Sequence, residues 1–329
     1  MSISPLVTVI IPTYNRAQWV GRAIESVLAQ EFTNYELIVV DDGSTDHTAQ
    51  VVAAYPSVQY VYKKNGRQAS ARNAGLALSR GTYIATLDSD DTWNPDFLAC
   101  TVAKIEADAL DFVFCNWVGY NLRGQELHEL ETKQGLQNYF YGPTFAQQPW
   151  IEMPYNELRR FFLNGCLAPS SAMLFRKSSL VKPWNEHMMV ADDWEFLIGI
   201  IVSKPVRVAF YKPKLWTKYQ VGDNLFDGLE YTKMVDLVML RDLNLILKIH
   251  EQSYTLAERK RIAQTQSSYC FWSAYYQIKR LNLYRALQML HLSHQIDPHL
   301  TQKRLWKLSN FSFAFRALGR AFKRLSAKL

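Results

Sequence analysis

The chain has 329 residues, of which 48% are apolar and 20% charged. This composition belongs to a core-forming globular protein with room for one large domain and a smaller one, and it excludes disorder as the main state. The formal charge of +7 is uneven: from Thr301 onward there are eight Lys or Arg and no Asp or Glu, which leaves 29 bases against 30 acids in residues 1–300 and makes basicity a property of the tail.

Residues 7–11 form a short β-branched run that reads as a strand, and Trp19, Val20, Ala23, Ile24, Val27 and Leu28 recur as one helical stripe. A second strand is expected over 36–40. A helix follows over 45–54, with Ser44 or Asp46 available to cap it. Residues 58–62 read as a third strand, 70–79 as a helix closed by Gly81, and 83–87 as a fourth strand. Such alternation implies an α/β fold, a mostly parallel sheet with helices on both faces. Further strands are expected over 112–117, 171–175 and 206–210, with a helix over 192–202. Residues 120–150, rich in Gly, Gln, Asn and Pro, read as variable loop. Beyond about residue 226 helical patterns dominate, with no proline between Pro213 and Pro298, so the expected domains are 1–225 and 226–329. The stretch from Tyr275 to Pro298 resembles a single tetratricopeptide-like helical hairpin, too little for a repeat array.

Cys100, Cys115, Cys166 and Cys270 form no C-x-x-C pair, and are expected as buried free thiols in a reducing compartment. The N-terminus lacks the basic start of a signal peptide, and the longest apolar runs, such as Phe196 to Val202, are too short to cross a bilayer. A cytoplasmic location is therefore expected.

Polar groups follow consecutive strands: Thr13-Tyr14-Asn15, then Asp41-Asp42-Gly43-Ser44, then Asp88-Ser89-Asp90-Asp91. In an open parallel sheet the residues past the carboxyl ends converge on one crevice, where ligands bind. Either Asp cluster alone is compatible with an ordinary turn or helix cap. Together they place five aspartates at one edge, a crowding that is costly unless a cation offsets it. Mg²⁺ or Mn²⁺ fits, completing its shell with substrate phosphates, so a diphosphate substrate is implied. Arg67 and Arg72 are placed to reach the same phosphates.

The runs Val9-Ile10-Ile11-Pro12-Thr13-Tyr14-Asn15-Arg16, Val40-Asp41-Asp42-Gly43-Ser44-Thr45-Asp46, Ala71-Arg72-Asn73-Ala74-Gly75 and Leu87-Asp88-Ser89-Asp90-Asp91, in that order, resemble the family-2 glycosyltransferases of the GT-A fold. The resemblance covers roughly residues 5–220 and implies a Rossmann-like GT-A domain followed by a helical region. It implies a nucleotide pocket with Pro12, Thr13, Tyr14 and Asp42 around the base, and Arg67, Arg72, Asp88 and Asp90 on the donor. Asp90 and Asp91 are the implied ligands of Mn²⁺ or Mg²⁺; which of Asp88, Asp90 and Asp91 touches the metal directly is left open. Asp193, opening the helix at 192, matches the position of the catalytic base in inverting members, with Asp192 where Glu is more usual. Ser170, Ser171 and Glu186 fit the pattern on the acceptor side with Asp192.

The implied activity is inverting transfer of a sugar from a nucleotide sugar, UDP-linked by resemblance, to a hydroxyl of a glycan or lipid-linked acceptor. No Arg-Trp dipeptide occurs, so the Gln-x-x-Arg-Trp motif of processive synthases is missing and one sugar is expected per event. Rival readings include a catalytically dead sugar-binding module, disfavoured because all the expected acids are present, and two others. A nucleotidyltransferase should show a Gly-rich, basic phosphate loop near the first strand, and none is evident. A nucleic-acid-binding protein would use the basic tail, but an aspartate-lined cleft repels phosphates without a metal, and no nucleic acid is expected. In the tail, Phe311, Phe315, Leu318, Phe322, Leu325 and Leu329 form an apolar stripe flanked by Arg and Lys. Residues 311–329 suit either packing on preceding helices or peripheral binding to an anionic membrane, there the inner face.

Overall fold

The computed structural model describes residues 4–121, 123–127, 138–222 and 230–309. The chain divides into two compact units, Met1–Asp227 and Gly228–Leu329.

The first unit is a mixed α/β layer structure. Its strands are β1 (Val7–Thr13), β2 (Tyr35–Asp41), β3 (Gln59–Tyr62), β4 (Tyr83–Thr86), β5 (Thr92–Trp93), β6 (Phe112–Tyr120), β7 (Glu126–Leu127), β8 (Trp150–Met153), β9 (Met173–Arg176) and β10 (Val208–Tyr219). The helices between them are α1 (Val20–Leu28), α2 (Thr48–Ala53), α3 (Arg67–Leu78), α4 (Phe97–Ala107), α5 (Tyr155–Phe162) and α6 (Asp192–Ser203). The sheet runs β3-β2-β1-β4-β9-β6-β10-β5, with β7 on β6 and β8 on β10. β3, β2, β1 and β4 are mutually parallel, as are β6 and β10, while β9 runs antiparallel between β4 and β6. β1 is buried along its whole length. A central strand covered on both faces reads as a near-continuous apolar run, which residues 7–11 show with Thr8 as the exception.

Local chemistry sets the boundaries. α1 buries Val20, Ala23, Ile24 and Val27 on one face. α2 is preceded by Asp46, whose Oδ1 accepts from the Thr48 N–H at 3.0 Å and the Thr48 hydroxyl at 2.5 Å. α3 begins earlier than the sequence suggests, at Arg67, whose φ of 74° lies in the left-handed region. It lies close on β1 because Gly75 permits it: a Cβ there would meet Ile10 Cγ2 at 2.6 Å. β10 runs well past Phe210, since Trp216 stacks on Trp117 of β6 at 5.3 Å. Pro213 donates no N–H, and the register shifts on either side of Lys214 absorb that loss. Within the loop expected over 120–150, β7, β8 and a 3₁₀ turn at Pro143–Phe145 are formed.

The second unit is helical. It comprises α7 (Tyr231–Met234), a π-helical stretch Val235–Asp242, α8 (Leu243–Ile249), α9 (Leu256–Lys279), α10 (Leu283–Ile296) and α11 (Pro298–Ser309). α9 starts with a reciprocal cap between Thr255 and Glu258. Phe271, Ala274, Met289, Leu290 and Leu305 make its core, and the hydroxyls of Ser267, Ser293 and Thr301 satisfy one another inside it. Among the described residues no helix is long and apolar enough to cross a membrane. The four cysteines are free, Cys115 and Cys270 buried, Cys100 and Cys166 half-buried. The stripe expected over 311–329 lies outside the described residues.

Candidate active site

The loops after β1 and β2 are tied into one surface. The Asn15 N–H donates to Ser44 Oγ at 2.8 Å, and its side-chain oxygen accepts from the Thr45 N–H at 2.8 Å. Asn15 does this at φ 51°, a conformation asparagine tolerates better than most residues. Pro12 and Thr13 are buried beneath, while Tyr14 stands 47% exposed. The adjacent aspartates diverge. Asp41 accepts from the Tyr60 hydroxyl at 2.7 Å and the Ser44 N–H at 2.7 Å, so it holds β3 and the turn together. Asp42 accepts from Lys63 Nζ at 2.7 Å and the Gly66 N–H at 3.0 Å. Gly43 between them has φ 86°, and a Cβ there would meet Asn65 N at 2.9 Å.

The acidic turn after β4 is braced from behind by Ser171. Its hydroxyl accepts from the Asp88 N–H at 3.0 Å and donates to Asp91 at 2.6 Å. Asp91 also accepts from the Tyr219 N–H at 3.3 Å, and it is buried. Burial, then the charges of Asp90 and Asp88, push its carboxyl well above the usual range. Ser170 is buried too, its carbonyl accepting from the Thr86 hydroxyl at 2.8 Å. Both serines therefore lie under the acidic turn, not on an open acceptor face. Asp90 lies 3.8 Å from Arg16 Nε.

Arg72 connects this turn to the second half of the site. Its guanidinium is only 2% exposed. Nη2 donates to Asp88 at 2.7 Å and Nη1 donates to Asp192, while Nε has no partner. Gln68, one helical turn earlier on α3, donates to the other Asp192 oxygen. Desolvation pulls the Arg72 pKa down, but Asp192, Asp88 and Asp193 outweigh it and hold the group charged. For Asp192 burial pushes upward and Arg72 opposes it, with a net rise. Asp193 is half-buried and receives the Trp194 N–H at 2.7 Å. Burial first, then the Asp192 and Asp88 charges, raise its carboxyl to about 7 against the pull of Arg72.

α3 carries a further clamp. Asn73 Nδ2 donates to the Trp184 carbonyl and to Glu186 Oε1, both at 2.9 Å, and its Oδ1 accepts from the Trp184 N–H at 2.8 Å. Trp184 stacks on Phe196 of α6 at 4.1 Å. Thus Asp88, Asp192, Asp193 and Glu186 are gathered around α3. Arg67 is exposed at the helix start. Gln68, Lys63 and Tyr219 were not singled out from sequence. Gln68 could have been found from its i, i+4 spacing to Arg72; nothing in the sequence points to Tyr219, whose backbone reaches Asp91 across the fold.

Residues 8–180 match Glycosyl transferase family 2. The chain belongs to that family. It is 32% identical over 195 residues to an uncharacterized glycosyltransferase of Rickettsia prowazekii, covering 58% of this chain and 57% of that protein. It is 40% identical over 126 residues to the succinoglycan biosynthesis protein ExoO of Rhizobium meliloti, covering 37% and 36%. The matches thus span little more than half the length of the first relative and about a third of the second. Among solved structures, S. aureus TarS 1-349 in complex with UDP-GlcNAc aligns with a TM-score of 0.62 at 19% identity, covering 90% of this chain and 82% of that one. The mannosyltransferase PcManGT from Pyrobaculum calidifontis, in complex with GDP-Man and Mn²⁺, aligns at 0.57 with 16% identity, covering 99% and 86%. At these identities the likeness is one of fold: the first unit has the GT-A fold.

Among the described residues, no three His, Cys, Asp or Glu side chains gather as a ready-made metal cage. Mg²⁺ and Mn²⁺ do not require one, because one or two carboxylates plus substrate phosphates suffice. The oxygen-only donors of the acidic turn fit that requirement.

Proposed function

We propose that this glycosyltransferase moves one sugar at a time, with inversion, from a nucleotide sugar, UDP-linked by preference, to a hydroxyl of a glycan or lipid-linked acceptor in polysaccharide or glycolipid synthesis. The observation that carries this reading is the Arg72 guanidinium bound to Asp88 on one side and Asp192 on the other. It joins the strand-end acids, the donor side, to the start of α6, where Asp193 stands. Pro12, Thr13, Tyr14 and Asp42 frame the base, with the exposed Tyr14 ring as its stacking face. Asp91 is buried, with its oxygens engaged by Ser171 and Tyr219; the half-buried Asp90 is the carboxylate proposed for the metal, with Asp88 beside it. Mn²⁺ or Mg²⁺, when bound, neutralises charge on the departing diphosphate.

The chain's own groups do the rest. Arg72 contributes a buried, permanent charge beneath the phosphates, its two Nη groups held by Asp88 and Asp192. Asp193 takes the proton from the acceptor oxygen; a carboxyl raised to about 7 is well matched to that task near neutral pH. Attack from the side opposite the leaving group inverts the anomeric carbon. The nucleotide stays a preference, not an exclusion, because the two structural neighbours carry UDP-GlcNAc and GDP-Man.

A panel of nucleotide sugars, read by Mn²⁺-dependent hydrolysis and by thermal stabilisation, tests the reading. One donor should stand out, and Asp90→Ala should abolish turnover and weaken its binding in Mn²⁺. Full activity in excess chelator, or near-normal turnover of Asp90→Ala, contradicts it.

A further inference from the structure

The helical unit turns an apolar and cationic tip outward where α9 passes into α10. From Arg259 to Ile296 the chain has six Lys or Arg and no Asp or Glu. The turn reads Lys279-Arg280-Leu281-Asn282-Leu283-Tyr284-Arg285. Leu281 is 86% exposed, Tyr284 75% and Leu283 53%. One turn apart on α9, Trp272 and Tyr276 add two more exposed rings.

Leu281 carries the argument. Its φ is 58°, a left-handed conformation that glycine or asparagine adopts at much lower cost than leucine. A turn that only had to reverse the chain would place Gly or Asn there, as helix ends commonly do. Here a large apolar side chain is held out into water at a strained position, and strain kept in this way points to use.

The surrounding cations are ordered. Arg280 is paired with Glu230 at 2.6 Å and Arg285 with Asp236 at 2.6 Å. Lys279 Nζ sits 4.7 Å over the Tyr275 ring. Three cations against two acids leave the tip positive. Protruding leucines, aromatic rings beside them and a ring of Lys and Arg form the pattern that seats at a bilayer boundary, with apolar groups below the headgroups, rings at their level and cations on the phosphates.

We propose that the α9–α10 turn docks this protein on an anionic phospholipid surface. The proposal rests on described residues alone and is independent of the reading of 311–329 and of the donor chemistry. It is tested by co-sedimentation of the full chain with vesicles of phosphatidylcholine, with and without phosphatidylglycerol, at low and high salt. The double variant Leu281→Asn, Tyr284→Ser is the comparison; asparagine suits the left-handed position, so the turn should fold at least as well. Wild type should partition onto the anionic vesicles and lose them in salt, and the variant should bind about tenfold or more weakly with soluble donor hydrolysis unchanged. The proposal is overturned if wild type ignores anionic vesicles at low salt, or if the folded variant partitions within about twofold of wild type. It is also overturned if the variant alters self-association and leaves vesicle binding intact.

Discussion

In the catalytic unit Asp42, Arg72, Asp91, Asp192 and Glu195 are all buried, whereas Asp242 is the one Asp, Glu, Lys or Arg buried among the described residues of the helical unit. The helical core meets its polar needs with neutral groups: the Ser267, Ser293 and Thr301 hydroxyls, and Gln266, whose Nε2 donates to the Met239 carbonyl at 2.6 Å. Lys279, Arg280 and Arg285 stand on the α9–α10 turn, none of them buried. Burying charge costs several kcal/mol per ion unless partners compensate. The helical unit largely avoids it, with Asp242 as its buried acid. The first unit keeps charge inside, which suits the diphosphate binding and proton transfer proposed for it, because a field aimed at a reaction is strongest where water is excluded. Under the proposed function, the contrast sets charges placed for chemistry against neutral groups placed for packing.

The contrast breaks first at Asp193. Asp193→Asn keeps the shape and removes the base, so kcat should fall by roughly 10²- to 10⁴-fold while donor affinity, measured by titration calorimetry, stays within a few-fold. Turnover near the normal rate would place the base elsewhere.

Asp192→Ala should act on stability as well. It leaves Arg72 buried with half of its partners, and breaking a buried pair costs about 3–5 kcal/mol. Urea unfolding should show that loss, and Asp192→Glu should restore most of it. A change below about 1 kcal/mol, the scale of an exposed pair, would mean that the bridge is not a structural tie.

The pH profile sharpens the same point. With Asp193 raised to about 7, kcat/KM should climb about tenfold per pH unit below that value and level above it, since only the ionised form accepts a proton. In Asp192→Asn the limb should move to lower pH, because the Asp192 charge is one of the causes of the rise. The stability consequence has the opposite sign. Folding favours the protonated form, so this group's contribution is full below the ordinary carboxylate pKa and is lost as pH rises through about 7. A limb that stays in place in Asp192→Asn would detach Asp193 from the bridge.

The helical unit should answer more mildly. Thr255→Ala removes the cap of α9 and should cost about 1 kcal/mol in thermal unfolding, with kcat unaltered. A large drop in kcat would mean that the helical unit reaches the chemistry.

Much of this was legible in sequence where local rules act alone. The β-branched run at 7–11 announced a strand, the stripe from Val20 to Val27 a helix, and the acids after the strands a crevice. What stayed hidden was set by distant partners. Asp41 and Asp42 are neighbours with the same side chain, yet Tyr60 claims one and Lys63 the other. Ser171 was expected beside the acceptor, and its hydroxyl instead ties Asp88 to Asp91 from below. The extension of β10 past Pro213 follows from a Trp117–Trp216 contact that no local pattern encodes.

The central claim, inverting transfer with Asp193 as base, is tested most directly with water as the acceptor. Proton NMR of the sugar released from the preferred donor, recorded before mutarotation equilibrates the anomers, reports the configuration at the reacting carbon. The account predicts the anomer opposite to that of the donor, formed by wild type and lost in Asp193→Asn. Release of the anomer with the donor's own configuration would contradict it.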